Sequence, residues 1–161
     1  MLQKLNDKFK SRRISFEFCR KSSRLNFYKR VGISSAETDP TGHITVFLTK
    51  KFMNVAETKE FNNALKCILA HELEHRNQYK QKLIVVDDSE LSEINYYLDL
   101  LEIEAFAAEI LMYCKMNNIN PKVELGIFDR LDDIILFYRE NKLTRTKSWK
   151  IFKQSIMNKL N

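Results

Sequence analysis

The stretch His71-Glu72-Leu73-Glu74-His75 fits the pattern His-Glu-x-x-His and sets both the local structure and the chemistry to be expected. Residues four apart lie on one face of a helix, so His71 and His75 can hold one metal ion from the same side. Zinc suits two neutral imidazoles and serves hydrolysis by activating a water molecule. Glu72, about 100 degrees further round the helix, can take a proton from that water. We therefore predict a zinc site with Glu72 as the catalytic base.

Helical periodicity surrounds this motif and predicts a long helix from about Glu57 to Lys80. A solvent-facing charged turn is the alternative explanation of so polar a segment. Against it, both histidines lie beside an apolar face and not opposite to it, so we expect them at the edge of the core, where a cleft can form. That face consists of Phe61, Ala64, Leu65, Ile68 and Leu69.

A catalytic zinc site needs a third protein ligand. The only other histidine, His43, precedes the motif, which disfavours metzincin and SprT-like arrangements with a downstream histidine. Cys67, one turn before His71, would give a site closer to a structural one. A carboxylate is therefore expected from a second predicted helix, which follows Asp87-Asp88-Ser89 and continues to about Met116. One pair of glutamates flanks its apolar stripe on each side, and periodicity does not select between Glu102 with Glu109 and Glu93 with Glu104. The stripe consists of Ile94, Leu98, Leu101, Ala105, Ala108 and Met112.

The segment from Glu102 to Met112 resembles the second signature of the ImmA/IrrE family of bacterial and phage zinc peptidases. In that family a glutamate four residues before a Phe-Ala pair supplies the third ligand, and Glu102 stands four residues before Phe106. The resemblance covers about Gly42 to Met112 and implies a zincin-like fold with zinc held by His71, His75 and Glu102. The chain departs from the family pattern at Glu74, Ile103, Glu104 and Tyr113, and Glu104, Glu109 and Glu93 stay as alternative ligands.

The remaining pattern predicts an α+β domain over residues 1–161, with a small N-terminal antiparallel sheet before a mainly helical region. An amphipathic helix is predicted up to Arg13. Apolar alternation predicts strands at Ile14–Phe18, at Leu25–Tyr28 and at Ile44–Leu48, the last an edge strand able to accept an extended substrate. The polar segment Gly32–Gly42 is predicted as a turn. Two further helices are predicted at Pro121–Asn141 and Thr144–Leu160.

Composition and charge indicate whether nucleic acid or a membrane is an expected partner of the chain. The net charge is +6, but the basic residues are spread along the chain and no nucleic-acid-binding motif accompanies them, so direct binding of nucleic acid is not expected. The three cysteines lack a Cys-x-x-Cys spacing, and neither a signal peptide nor a membrane span is visible. These features predict a cytoplasmic protein with no membrane contact, while the oligomeric state stays open.

The expected function is a zinc-dependent peptidase acting on a protein or peptide. The resemblance implies a narrow-specificity regulatory protease whose substrate is a repressor, such as a DNA-binding one, or an antitoxin-like protein. Two alternatives stay open, a non-catalytic zincin-fold interaction protein and a peptidase acting on nucleic-acid-bound proteins. The residue that stabilises the oxyanion is also open, and the candidates are Tyr79, Tyr96, Tyr97 and Tyr113.

Overall fold

The computed structural model describes residues 1–21, 23, 26–82, 99–118, 120, 150, 154 and 158. The predicted helix Pro121–Asn141 lies outside the described residues, as does nearly all of the predicted helix Thr144–Leu160. Residues 83–98 lie outside as well, and they include the predicted start of the second long helix and the candidates Glu93, Tyr96 and Tyr97.

The described part of the chain is α+β, as predicted. From the amino end, its elements are α1 (Leu2–Phe9), a 3-10 turn (Lys10–Arg12), β1 (Ile14–Phe18), α2 (Asn26–Val31), β2 (Ile33–Thr38), β3 (Ile44–Leu48), a second 3-10 turn (Lys50–Asn54), α3 (Lys59–Lys80) and α4 (Leu100–Asn117). Within this part, no helix is long and apolar enough to cross a membrane.

The sheet has three strands in the order β1-β3-β2, and it is mixed. The β2 and β3 strands form an antiparallel hairpin, whereas β3 pairs in parallel with β1, Ile14 opposite Ile44 and Phe18 opposite Leu48. The prediction of a purely antiparallel sheet was therefore wrong, because α2 and β2 intervene and return the chain to the direction of β1. The prediction that Ile44–Leu48 is an edge strand was also wrong, since β3 lies in the centre.

Two local predictions before β3 were also wrong. The prediction of a strand at Leu25–Tyr28 was wrong, since the helix α2 begins at Asn26. An alternation of apolar and polar residues over only four positions fits a single helical turn equally well. The predicted turn at Gly32–Gly42 contains β2, an edge strand in which only Ile33 is fully buried, so its sequence lacks the apolar alternation that marks a strand. The turn itself is confined to residues 39–43, where Asp39 Oδ1 accepts hydrogen bonds from the backbone N–H groups of Thr41 and His43.

The main hydrophobic core lies between the sheet, α2 and α3, and α4 packs against it through Met112, Tyr113 and Met116. Thr58 caps α3 by accepting a 3.1 Å hydrogen bond from Phe61 N, and all five residues of the predicted apolar face of α3 are buried. In α4 the buried face is centred on Ile103, Phe106 and Ile110. This face is rotated from the predicted stripe, because α4 is apolar on most sides and packing decides which side is covered.

Candidate metal centre

The α3 and α4 helices bring His71, His75 and Glu102 together. His71 Nε2 lies 3.1 Å from His75 Nε2 and 3.5 Å from Glu102 Oε2, and His75 Nε2 lies 3.4 Å from Glu102 Oε1. Ligands about 2.0–2.2 Å from a tetrahedral zinc ion are separated from each other by about 3.3–3.6 Å. The two histidine nitrogens and the Glu102 carboxylate, which offers a different oxygen to each histidine, therefore lie at distances that fit a zinc ion.

Burial at this cluster favours a cation. The side chains of His71, His75 and Glu102 are 7%, 12% and 16% exposed, and Glu102 Oε2 is buried without a hydrogen-bond donor. Burial raises the pKa of Glu102, but the two histidines outweigh burial and lower that pKa to about 2. A buried carboxylate oxygen that lacks a donor is costly, and a bound cation compensates for it.

A second layer of side chains fixes both imidazole rings. His75 Nδ1 lies 2.8 Å from Gln78 Oε1, and the buried Gln78 donates through Nε2 to the carbonyl of Leu101 at 2.9 Å. His71 Nδ1 lies 3.2 Å from Glu109 Oε2. Partners of this kind orient metal-binding histidines and hold the proton on the nitrogen that faces away from the metal. Both Nε2 atoms are thereby directed at the same point.

Glu109 belongs to this second layer and is itself fixed. The Tyr28 hydroxyl on α2 donates to Glu109 Oε1 at 2.5 Å. Burial, the nearby Glu109 charge and this hydrogen bond raise the pKa of Tyr28 well above its ordinary value, so the phenol is a neutral donor. The sequence signal for this role is the spacing, because Glu109 lies two helical turns after Glu102 and so on the same side of α4.

The other candidate ligands are separate from the cluster. Glu109 contacts the Nδ1 side of His71, and Glu104 Oε2 lies 3.4 Å from Gln78 Nε2. Among the described residues, the one group that could hold a metal ion consists of His71, His75 and Glu102, and Cys67 is not part of it. Burial, followed by the charge of Glu109, raises the pKa of the Cys67 thiol, which disfavours the thiolate form.

The catalytic candidate Glu72 is 4% exposed and contacts the end of β2. Thr38 Oγ1 lies 2.8 Å from Glu72 Oε2 and 2.9 Å from the Glu72 carbonyl oxygen. Burial raises the pKa of Glu72, while the His71 charge and the Thr38 hydrogen bond oppose that rise. Sequence reasoning missed Thr38, because it assigned this segment to a turn.

Two tyrosines proposed for the oxyanion lie within the described residues. Tyr79 is half-buried one turn after His75, and its pKa is raised by burial and then by the charges of Asp39, Glu72 and Glu102. Tyr113 is partly buried and packs against the core cluster. The charges that act on the Tyr79 phenol thus include Glu72 and Glu102 of the candidate site.

Comparisons with protein-family models, with curated proteins and with solved structures gave no match to this chain. The geometry of the site therefore carries the functional argument.

Proposed function

We propose that this chain is a zinc-dependent peptidase in which His71, His75 and Glu102 hold the ion and Glu72 is the catalytic base. One observation carries the proposal: the Nε2 atoms of two histidines on α3 lie 3.1 Å apart, and each lies 3.4–3.5 Å from a carboxylate oxygen of Glu102 on α4, at the edge of the core. Glu72 directly follows His71 in α3, so its buried side chain lies beside these donor atoms. A zincin-like fold and kinship with the ImmA/IrrE family form part of this proposal.

The chain's own residues account for binding and proton transfer. Glu109 and Gln78 hold the rings of His71 and His75 so that each Nε2 lone pair faces the ion. Bound zinc supplies Lewis acidity towards water and the substrate carbonyl. Glu72 takes one proton as the water oxygen adds to the carbonyl carbon. It then gives that proton to the amide nitrogen as the C–N bond breaks, which leaves a free acid and a free amine.

The resemblance of α4 to the ImmA/IrrE signature supports a regulatory substrate, such as a repressor or an antitoxin-like protein in the cytoplasm. A site assembled from two helices leaves the selection of substrate to the surfaces around it.

The test combines metal analysis with a search for new cleavage products. We expect about one zinc per chain by elemental analysis, both in the unmodified protein and in Glu72→Gln. When each protein is incubated with an extract of the source cells, only the unmodified protein should create new peptide amino termini detectable by mass spectrometry. Glu74→Gln, which removes the same charge two residues away, is the matched control and should retain cleavage.

Two outcomes would contradict the proposal in different ways. Absence of zinc from protein purified without chelators would remove the metal site. Zinc at full occupancy, with identical peptide termini from the unmodified protein and Glu72→Gln, would favour the non-catalytic interaction protein.

A further inference from the structure

A pocket lies one helical turn beyond the candidate metal centre, between the end of α3 and the β2–β3 turn. Its volume is about 180 Å³, and its walls include Arg13, Thr41, Arg76, Tyr79 and Lys80. Arg76 and Lys80 follow Glu72 at intervals of four residues, so these three side chains share one face of α3. The pocket therefore lies along the helix face that carries the proposed catalytic base.

The two arginines are held in place by hydrogen bonds. The Arg13 guanidinium donates to Thr41 Oγ1 at 3.0 Å, and the Arg76 guanidinium donates to the carbonyls of Arg12 and Arg13, each at 3.2 Å. Gly42 allows the turn to close on Arg76, because a Cβ at this position would lie 3.2 Å from Arg76 Cγ. Arg76 Nε is buried and has no hydrogen-bond acceptor. An anion in the pocket would find donors that are already oriented.

The positive charge of the pocket is not neutralised by the described residues. In that part of the chain, Arg13, Arg76 and Lys80 have no carboxylate within 4.0 Å. The carboxylate of the adjacent turn, Asp39, directs Oδ1 to Thr41 and to His43 N. A bound anion would neutralise this positive charge.

We propose that this pocket binds a carboxylate of the peptide substrate and gives the peptidase a preference for an acidic group near the cleaved bond. The preference for cleavage rests on the proposed function, whereas binding of the carboxylate does not. Arginine suits this ligand because its planar N–H groups match the two carboxylate oxygens. The pocket has room for one such group, whereas a nucleic-acid backbone is usually bound by a stripe of basic residues.

Binding can be tested without catalysis, using zinc-loaded Glu72→Gln protein. The reporter is the Nε–H resonance of Arg76 in a nitrogen-15 NMR spectrum. N-acetyl-glutamate N-methylamide should shift this resonance in a saturable way, and the matching glutamine compound should bind about tenfold more weakly or not at all. N-acetylglycine, which offers only a terminal carboxylate, distinguishes a side-chain carboxylate from a peptide terminus as the natural source. Saturable binding of either carboxylate supports the proposal.

Variants locate the site of binding. Lys80→Gln changes an exposed side chain and should weaken binding of the acidic compound several-fold, as measured at the Arg76 resonance. Adding Arg13→Gln, also exposed, should reduce binding by about tenfold or more. Lys59→Gln removes an exposed charge at the opposite end of α3 and should leave binding unchanged. Equal weakening by Lys59→Gln and Lys80→Gln would show a general charge effect and overturn the proposal.

Two further outcomes of the NMR experiment would overturn the proposal. The proposal is overturned if neither carboxylate compound shifts the Arg76 resonance. It is also overturned if only inorganic phosphate or a short DNA duplex does so. Should the unmodified protein prove inactive, the NMR result would still stand. If it is active, peptides with glutamate near the cleaved bond should exceed their glutamine counterparts in kcat/KM by about tenfold.

Discussion

Thr38 Oγ1, at the last residue of β2, lies 2.8 Å from Glu72 Oε2 on α3. This contact joins the sheet to the proposed catalytic base, and the same hydroxyl lies 2.9 Å from the Glu72 carbonyl. One hydroxyl proton is shared between two oxygens of a single residue, so both the side chain and the helix turn that carries it are held against β2. The contact makes Thr38 a positioning residue for Glu72.

Replacement of Thr38 by valine should lower kcat and leave zinc content unchanged. Valine keeps the shape of threonine but removes the hydrogen bond to a carboxylate, a bond of about 1.5–3 kcal/mol, so kcat should fall by about tenfold or more. Thr38→Ser restores the hydroxyl and should recover most of the activity. An equal loss in both variants would point to packing of the methyl group instead, and zinc analysis of each variant separates loss of positioning from loss of metal.

Glu102→Gln should lose zinc, while Glu104→Gln should retain it. Glutamine keeps the size of Glu102 but removes the charge that faces both Nε2 atoms, whereas Glu104 contacts Gln78 outside the group of donors. Zinc titration with a competing chelator measures both affinities. Full zinc content in Glu102→Gln would mean that the third ligand is another residue.

Glu109→Gln should weaken zinc binding without abolishing it. Loss of the carboxylate beside His71 Nδ1 removes the partner that orients this ring, and changes of this type reduce metal affinity by about 10–100-fold. Tyr28→Phe should have a smaller effect in the same direction, because Glu109 loses its hydroxyl donor. Zinc affinities equal to that of the unmodified protein in both variants would contradict the orienting role.

Removal of zinc should destabilise the protein. Metal that binds only the folded chain stabilises it by about 3 kcal/mol when free zinc exceeds the Kd by about a hundredfold. Thermal unfolding with and without a chelator should therefore show a lower midpoint in the chelated sample, restored by added zinc. In Glu102→Gln the two midpoints should coincide, since both samples lack the ion.

The contribution of Asp39 should depend on pH. Hydrogen bonds from the Thr41 side chain and from His43 N outweigh burial and lower the pKa of Asp39 below its ordinary value. A carboxyl whose pKa is lowered by folding stabilises the folded state above its unfolded pKa, and that stabilisation is lost as the pH falls through the folded value. Asp39→Ala should therefore unfold a few degrees below the unmodified protein at neutral pH, and the difference should shrink in acid. A constant difference between pH 7 and pH 2 would exclude the ionised side chain as its source.

The extent of sequence-based prediction differs between helices and sheet. The period of α3 and its capping residue Thr58 are local features, so its bounds and buried face were predicted well. The direction of pairing between β1 and β3 depends on where α2 and β2 lead the chain, and that is a property of tertiary structure. The polar strand β2 carries too little apolar alternation to be distinguished from a loop.

The candidate metal centre was predictable only in part, because one of its contacts is local and the others are not. The His71 and His75 pair follows from helix geometry alone, whereas Glu102 required resemblance to a family, since α4 is apolar on most sides. The contacts of Glu72 with Thr38 and of Glu109 with Tyr28 join residues 34 and 81 positions apart. Spacing along one helix carries no information about either of them.

The central position of β3 in the sheet affects how rarely the part of the fold beside the site opens. Each of its two neighbours takes one of its hydrogen-bonding edges, and Ile44, Val46 and Leu48 are fully buried. Amide protons exchange with solvent slowest where opening requires the whole fold to unfold, so those of β3 should be among the last to exchange. The hairpin that delivers Thr38 to Glu72 is thus anchored to one of the slowest-opening parts of the protein.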